Sequence, residues 1–119
     1  QLALRIPGQA GSWEIGFFRR GDGGNGCFVW NAAPAGFDVR RVTERFRLET
    51  GRDEERKRTL YEAVIPFAAV GLTEEAAGRG FRFNLLINDN DGEMRESFIA
   101  VAPGLGDSKN TDFFPVVSF

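Results

Sequence analysis

The run Asp89-Asn90-Asp91-Gly92-Glu93 gathers oxygen ligands in one short stretch and raises the question of calcium. An EF-hand loop with its glycine at Gly92 would begin at Ile87 and end at Phe98, where carboxylates are required. That motif is absent. Two readings remain: a hairpin tip built of turn-forming residues, or an irregular structural calcium site using Asp89 and Asp91. Zinc has almost nothing to bind, because the chain has no histidine and one cysteine, Cys27. Ser-His-Asp and Cys-His catalysis fall for the same reason. The 17 acidic residues could supply a glycosidase pair, but none sits where burial and a raised pKa are expected. Glycine-rich residues 21–26 lack the Lys-Ser/Thr ending and the helix of a phosphate loop. The chain therefore reads as non-catalytic.

Residues suited to binding are easier to find. Sugars offer flat C–H faces to indole rings and hydroxyls to planar polar groups, so Trp13, Trp30, Asn84, Asn88 and Arg95 come forward. Trp13 shares its side of the chain with Ile15 and Phe17 and belongs to the core, whereas Trp30 ends a strand beside a loop. Cys27, inside Cys27-Phe28-Val29-Trp30, reads as a small hydrophobe.

These side chains need a scaffold, and the pattern supplies one. The 119 residues suffice for one domain with a sizeable core. Alternation of period two marks strands at residues 12–20, 42–49, 59–65 and 81–88. Shorter strands fit residues 1–6, 27–31 and 115–119, and residues 67–77 permit one or two helical turns. Asp91-Gly92 predicts a hairpin in which Leu86 faces Ser97, Asn84 faces Ile99, and Leu85 faces Phe98. Phe83, Leu85 and Phe98 are then core, leaving Leu86 and Ile99 on a polar face that something must cover. About seven or eight short strands with little helix predict an all-β, antiparallel, jelly-roll-like sandwich.

Fifteen basic residues are interleaved with the acids at a net charge of −2, so nucleic acid is not an expected partner. No apolar run approaches the length of a membrane span, and no signal-peptide pattern is read in these residues.

The second half of the chain resembles the family-nine carbohydrate-binding modules and their broader relatives. Tyr61-Glu62-Ala63-Val64-Ile65-Pro66-Phe67 is similar to their Tyr-Glu-(small)-(apolar)-Ile-Pro-(aromatic) strand end. Gly80-Phe81-Arg82-Phe83-Asn84-Leu85-Leu86-Ile87-Asn88-Asp89-Asn90-Asp91-Gly92 is similar to their Phe-Asn-x-x-Val-Asn-Asp hairpin. Gln1-Leu2-Ala3-Leu4 looks like their middle strand, which implies that the first strands of the sandwich precede Gln1. The resemblance implies a non-catalytic module for a polysaccharide or oligosaccharide, extracellular or periplasmic, joined to a catalytic domain and often holding structural calcium. It places Gln1 and Asn88 at polar sugar contacts and Lys109 where the family has an aromatic ring. Lys109 and Asn110 would form the rim. The loss of that ring also admits a structural sandwich that has lost sugar binding and packs against a neighbouring catalytic domain. Related sandwiches bind haem through His and Met; with Met94 and no histidine the chain lacks that pair.

Overall fold

The computed structural model describes residues 1–30, 33–89 and 97–119. Its strands are β1 (Leu2–Arg5), β2 (Trp13–Arg19), β3 (Asn25–Val29), β4 (Arg47–Asp53), β5 (Arg58–Val64), β6 (Phe81–Asp89), β7 (Ser97–Ala100) and β8 (Val116–Val117). Two short helices, α1 (Val39–Thr43) and α2 (Glu74–Arg79), and two 3-10 turns, Phe67–Ala69 and Thr111–Phe113, complete it. The fold is all-β and sandwich-like, and its sheets are antiparallel, as the alternation of side chains predicts.

Strands β3-β2-β1-β6-β7 lie side by side in that order, and β8 joins β6 on the edge that β7 also uses. β8 pairs with the start of β6 (Phe81 opposite Val117) and β7 with its end (Leu86 opposite Ala100). β4 and β5 form a separate two-stranded sheet.

One face of the large sheet carries Leu4, Ile6, Trp13, Ile15 and Phe81, and the chain from α1 to α2 covers it with Val42, Val70, Leu72 and Ala77. Trp13 is fully buried here, and its Nε1–H donates to Val70 O at 3.0 Å, so the one polar atom of the ring is satisfied. Cys27 packs against this face, and burial pushes its thiol pKa up, in keeping with a small hydrophobe.

The opposite, outer face differs from expectation. A second, smaller core of Ala3, Leu86, Leu105 and Phe114 sits there under residues 101–114. It sets the β6–β7 register. Leu86 faces Ala100 rather than Ser97, Ile87 faces Ile99, and Asn88 faces Phe98. The displacement is an odd number of residues, so β7 turns its other side to the loop. Phe98 lands on the outer face at 40% exposure rather than in the main core, while Phe83 packs into that core and Leu85 is partly buried. The physical reason is volume: Leu105 needs a small neighbour beside Leu86, and Ala100 provides it. The expected Asp91-Gly92 tip lies outside the described residues.

A second difference concerns residues 42–49. The strand begins only at Arg47, because Asp38 accepts from the backbone N–H groups of Arg40 and Arg41 and starts α1. Val42 and Phe46 satisfy a spacing of four as well as of two.

Candidate functional site

The outer face of β1, β2 and β3 forms the candidate site, and the ladders fix its layout. Trp30 N donates to Glu14 O at 2.8 Å, which continues the β2–β3 register one pair beyond Ile15–Val29 and sets Trp30 opposite Glu14. Ala3 lies beyond Glu14, and Asn84 beyond Ala3, in one row across the sheet. In the next row Phe28 faces Gly16, and Gln1 faces Leu86 through Leu86 N–H to Gln1 O at 2.8 Å. Phe18 faces Gly26 one row further on.

Facing glycines make room for two of the three aromatic rings on this surface, and Trp30 stands opposite Glu14 instead. Gly16 and Phe28, like Gly26 and Phe18, are cross-strand partners, and the tip of each ring reaches over the facing glycine. A Cβ at Gly26 would stand 2.7 Å from Phe18 Cζ, and one at Gly16 would stand 2.7 Å from Phe28 Cε1. The rings continue into one another: Phe18 and Phe28 centroids are 6.1 Å apart, and Phe28 meets Trp30 edge-on at 4.9 Å. Trp30 is 45% exposed, and Phe18 and Phe28 are nearly as open.

Beside the rings lies a polar cluster. Glu14 is 7% exposed, yet its Oε1 accepts from both Gln1 Nε2 and Lys109 Nζ. Lys109 arrives from the last long loop with φ at 54°, in the left-handed region that costs a lysine about 1 kcal/mol or more. A buried carboxylate with charge-assisted partners repays that cost. The loop itself is pinned from below. Asn84, fully buried, donates to Ala102 O (2.9 Å) and Pro103 O (3.1 Å), while its Oδ1 accepts from Leu85 N (2.9 Å) and Ala102 N (3.2 Å). Arg82 adds bonds to Asp112 O and Phe114 O, both at 2.9 Å.

No family model, curated protein or solved structure matches the chain. The site therefore rests on its own geometry.

Of the residues singled out from the sequence, Gln1, Lys109 and Trp30 come together around Glu14. Asn84 does not open to a surface: all of its hydrogen-bonding capacity toward the loop is spent on backbone, so it is a loop staple rather than a ligand contact. Asn110 is also committed, since its Oδ1 accepts from Asp112 N at 2.9 Å and caps the 3-10 turn. Asn88 is exposed at the far end of β6 opposite Phe98, apart from the Glu14 row. Arg95 and Asp91 lie outside the described residues, as does the side chain of Asp89. Among the described residues no cluster of three or more metal-ligating side chains occurs.

Sequence reading missed Glu14, Phe18 and Phe28. Their signal was available: the alternation that turns Trp13, Ile15 and Phe17 inward turns Glu14, Gly16 and Phe18 outward. A shallow cleft of about 320 Å³ elsewhere, lined by Arg5, Phe81, Arg82 and Val116, offers no free cation. Arg5 is bonded to Gln9 O and Gly11 O, and Arg82 holds the loop as above.

Proposed function

We propose that the outer face of β1–β3 binds carbohydrate without catalysing its cleavage, and that the chain serves as an accessory domain of a secreted carbohydrate-active protein. The single observation that carries this reading is Trp30 standing open directly opposite the Glu14 carboxylate, with Phe28 extending the aromatic surface and Lys109 and Gln1 supplying donors. A pyranose ring would stack its C–H face on Trp30 or Phe28, and its hydroxyls would exchange hydrogen bonds with Lys109 and Gln1 at the rim of the buried Glu14. The resemblance of residues 61–67 and 80–92 to family-nine modules supports the same class of ligand. A stack and a few net hydrogen bonds give affinities of roughly millimolar to micromolar Kd.

Calorimetric titration against a panel of plant and microbial oligosaccharides and polysaccharides tests it. Binding is expected to at least one glycan, and Trp30→Ala lowers that affinity by about ten-fold or more with an unchanged far-UV spectrum. Silence toward the entire panel, or a Trp30→Ala variant that binds equally well, rejects the reading.

A second reading has its own observation. Gln1, Glu14 and Lys109 satisfy one another without a ligand, which suits a face that docks on a neighbouring catalytic domain. Acrylamide quenching of Trp30 separates the two: shielding when the chain is joined to such a domain favours docking, and equal quenching favours an open sugar face.

A further inference from the structure

The β4–β5 sheet has an unused edge. Among the described residues β5 pairs only with β4, and every residue from Arg58 to Val64 is exposed. That strand carries Leu60 at 69% exposure, with Tyr61 and Val64 also open. An edge of this length, apolar in part and free of proline from Arg58 to Val64, is a template for another strand.

The charges along β5 indicate which strand. Arg58, Leu60 and Glu62 share one face, since they alternate along the strand. Neither the Arg58 nor the Glu62 side chain makes a hydrogen bond or ion pair among the described residues. Within the hairpin Glu62 stands directly opposite Glu49, a like-charged pair that disfavours the sheet as it stands. An antiparallel copy of β5, related by a two-fold axis through Leu60, would set Leu60 against Leu60 at the centre. Arg58 of each copy would then face Glu62 of the other, once on each side of the axis. Each Glu62 would gain a cation on the side away from Glu49. Parallel pairing in register would instead set Arg58 on Arg58 and Glu62 on Glu62. Centring the axis on Tyr61 would oppose Arg58 to Val64 and leave both charges without a partner.

We propose that two copies of this chain associate through β5, antiparallel and centred on Leu60, to form a continuous four-stranded sheet β4-β5-β5-β4. The contact is isologous, so it closes at two copies and does not propagate. One strand per copy buries well under about 1,000 Å² in total, which places the association in the weak, concentration-dependent class. None of its residues belongs to the proposed carbohydrate face, so either can fail without the other.

Sedimentation velocity of the whole chain, from roughly ten micromolar to about one millimolar, reads the association directly. A monomer–dimer equilibrium with nothing larger is expected. Arg58→Glu or Glu62→Arg alone makes both symmetric pairs repulsive and lowers the association constant by roughly ten-fold or more. The double variant Arg58→Glu/Glu62→Arg restores attraction and recovers the dimer. In a Cys27→Ser background, Leu60→Cys forms an intermolecular disulfide on mild oxidation much faster than Ala63→Cys, because only residue 60 meets itself. A monomer at every concentration, growth beyond the dimer, no recovery in the double variant, or equal crosslinking at 60 and 63 overturns the proposal.

Discussion

Replacing Asn84 by alanine exposes the central dependency of the outer face. Four hydrogen bonds end on this side chain, at 2.9, 3.1, 2.9 and 3.2 Å, and all four partners are backbone groups. A neutral hydrogen bond contributes about 1 kcal/mol net, and a buried group left unpaired costs about 1–3 kcal/mol. Summed without relief, that gives about 4 kcal/mol or more. Ala102 is only half-buried and Pro103 is exposed, so water can enter the vacated space and satisfy part of the loss. The expected destabilisation is about 2–4 kcal/mol, a substantial share of the roughly 5–15 kcal/mol typical of a domain. At about 4 °C per kcal/mol for a chain of this size, the melting temperature falls by about 8–16 °C. Urea denaturation measures the stability, and hydrogen exchange at Val101, Ala102 and Gly104 locates the damage. Asn84→Asp separates the halves of the network, since it keeps an acceptor for Leu85 and Ala102 but loses both donors to the loop carbonyls. Because the same loop carries Lys109 to Glu14, the proposed glycan affinity is expected to drop in Asn84→Ala as well. A loss under about 0.5 kcal/mol with unchanged loop protection refutes the staple role assigned to this residue.

Three further outcomes follow from the same geometry. Gly16→Ala pushes the Phe28 ring off its seat; because the clashing atoms belong to the free end of an exposed side chain, stability changes by less than about 1 kcal/mol, while Phe28 ring shifts and Trp30 fluorescence move clearly. Lys109→Ala removes a charge-assisted partner from the buried Glu14 carboxylate and costs about 1–2 kcal/mol by urea melts, whereas Lys109→Gly recovers about 1 kcal/mol of that because φ at 54° suits glycine. Asp107 accepts from Ser108 N and Gly104 N, and the Ser108 backbone bond foremost holds its carboxyl below the ordinary carboxylate range. A depressed folded pKa means that this contribution is present above the unfolded value and is lost as pH falls through the folded one. The Gly104 and Ser108 amide resonances should accordingly titrate below the usual aspartate pH, and a flat profile in acid would contradict these two hydrogen bonds.

Most of the strands were legible because they signal themselves locally. Trp13, Ile15 and Phe17 alternate with Glu14, Gly16 and Phe18, and Pro66 and the glycines Gly21, Gly23 and Gly24 mark the breaks. Asp38 and α1 were not read from the sequence, because the spacing of Val42, Phe46 and Leu48 suits a strand equally well and only the packing of Val42 into the main core decides for α1. The β7 register was not legible. It depends on Leu105 and Phe114 settling over Leu86, contacts made across a long separation that no hairpin rule contains. The candidate site divides in the same way. Trp30 announced itself by its place at a strand end, whereas the burial of Glu14 depends on Lys109, 95 residues away. Asn84 illustrates the converse error: an asparagine on a wet-looking face resembles a ligand contact until the segment that consumes it is placed.

The reciprocal seating of Phe28 on Gly16 and Phe18 on Gly26 frees the β2–β3 connection from the duty of alignment. Sliding one strand by two positions in one direction would set Phe18 opposite Phe28 and take both rings off their glycines, and in the other would waste glycine on glycine. Alignment is thus written into the flanks, and residues 20–24 need only bridge the gap. Lengthening that bridge, or grafting a foreign peptide into it, should leave the aromatic surface in place, which makes the turn a natural position for diversification next to that surface.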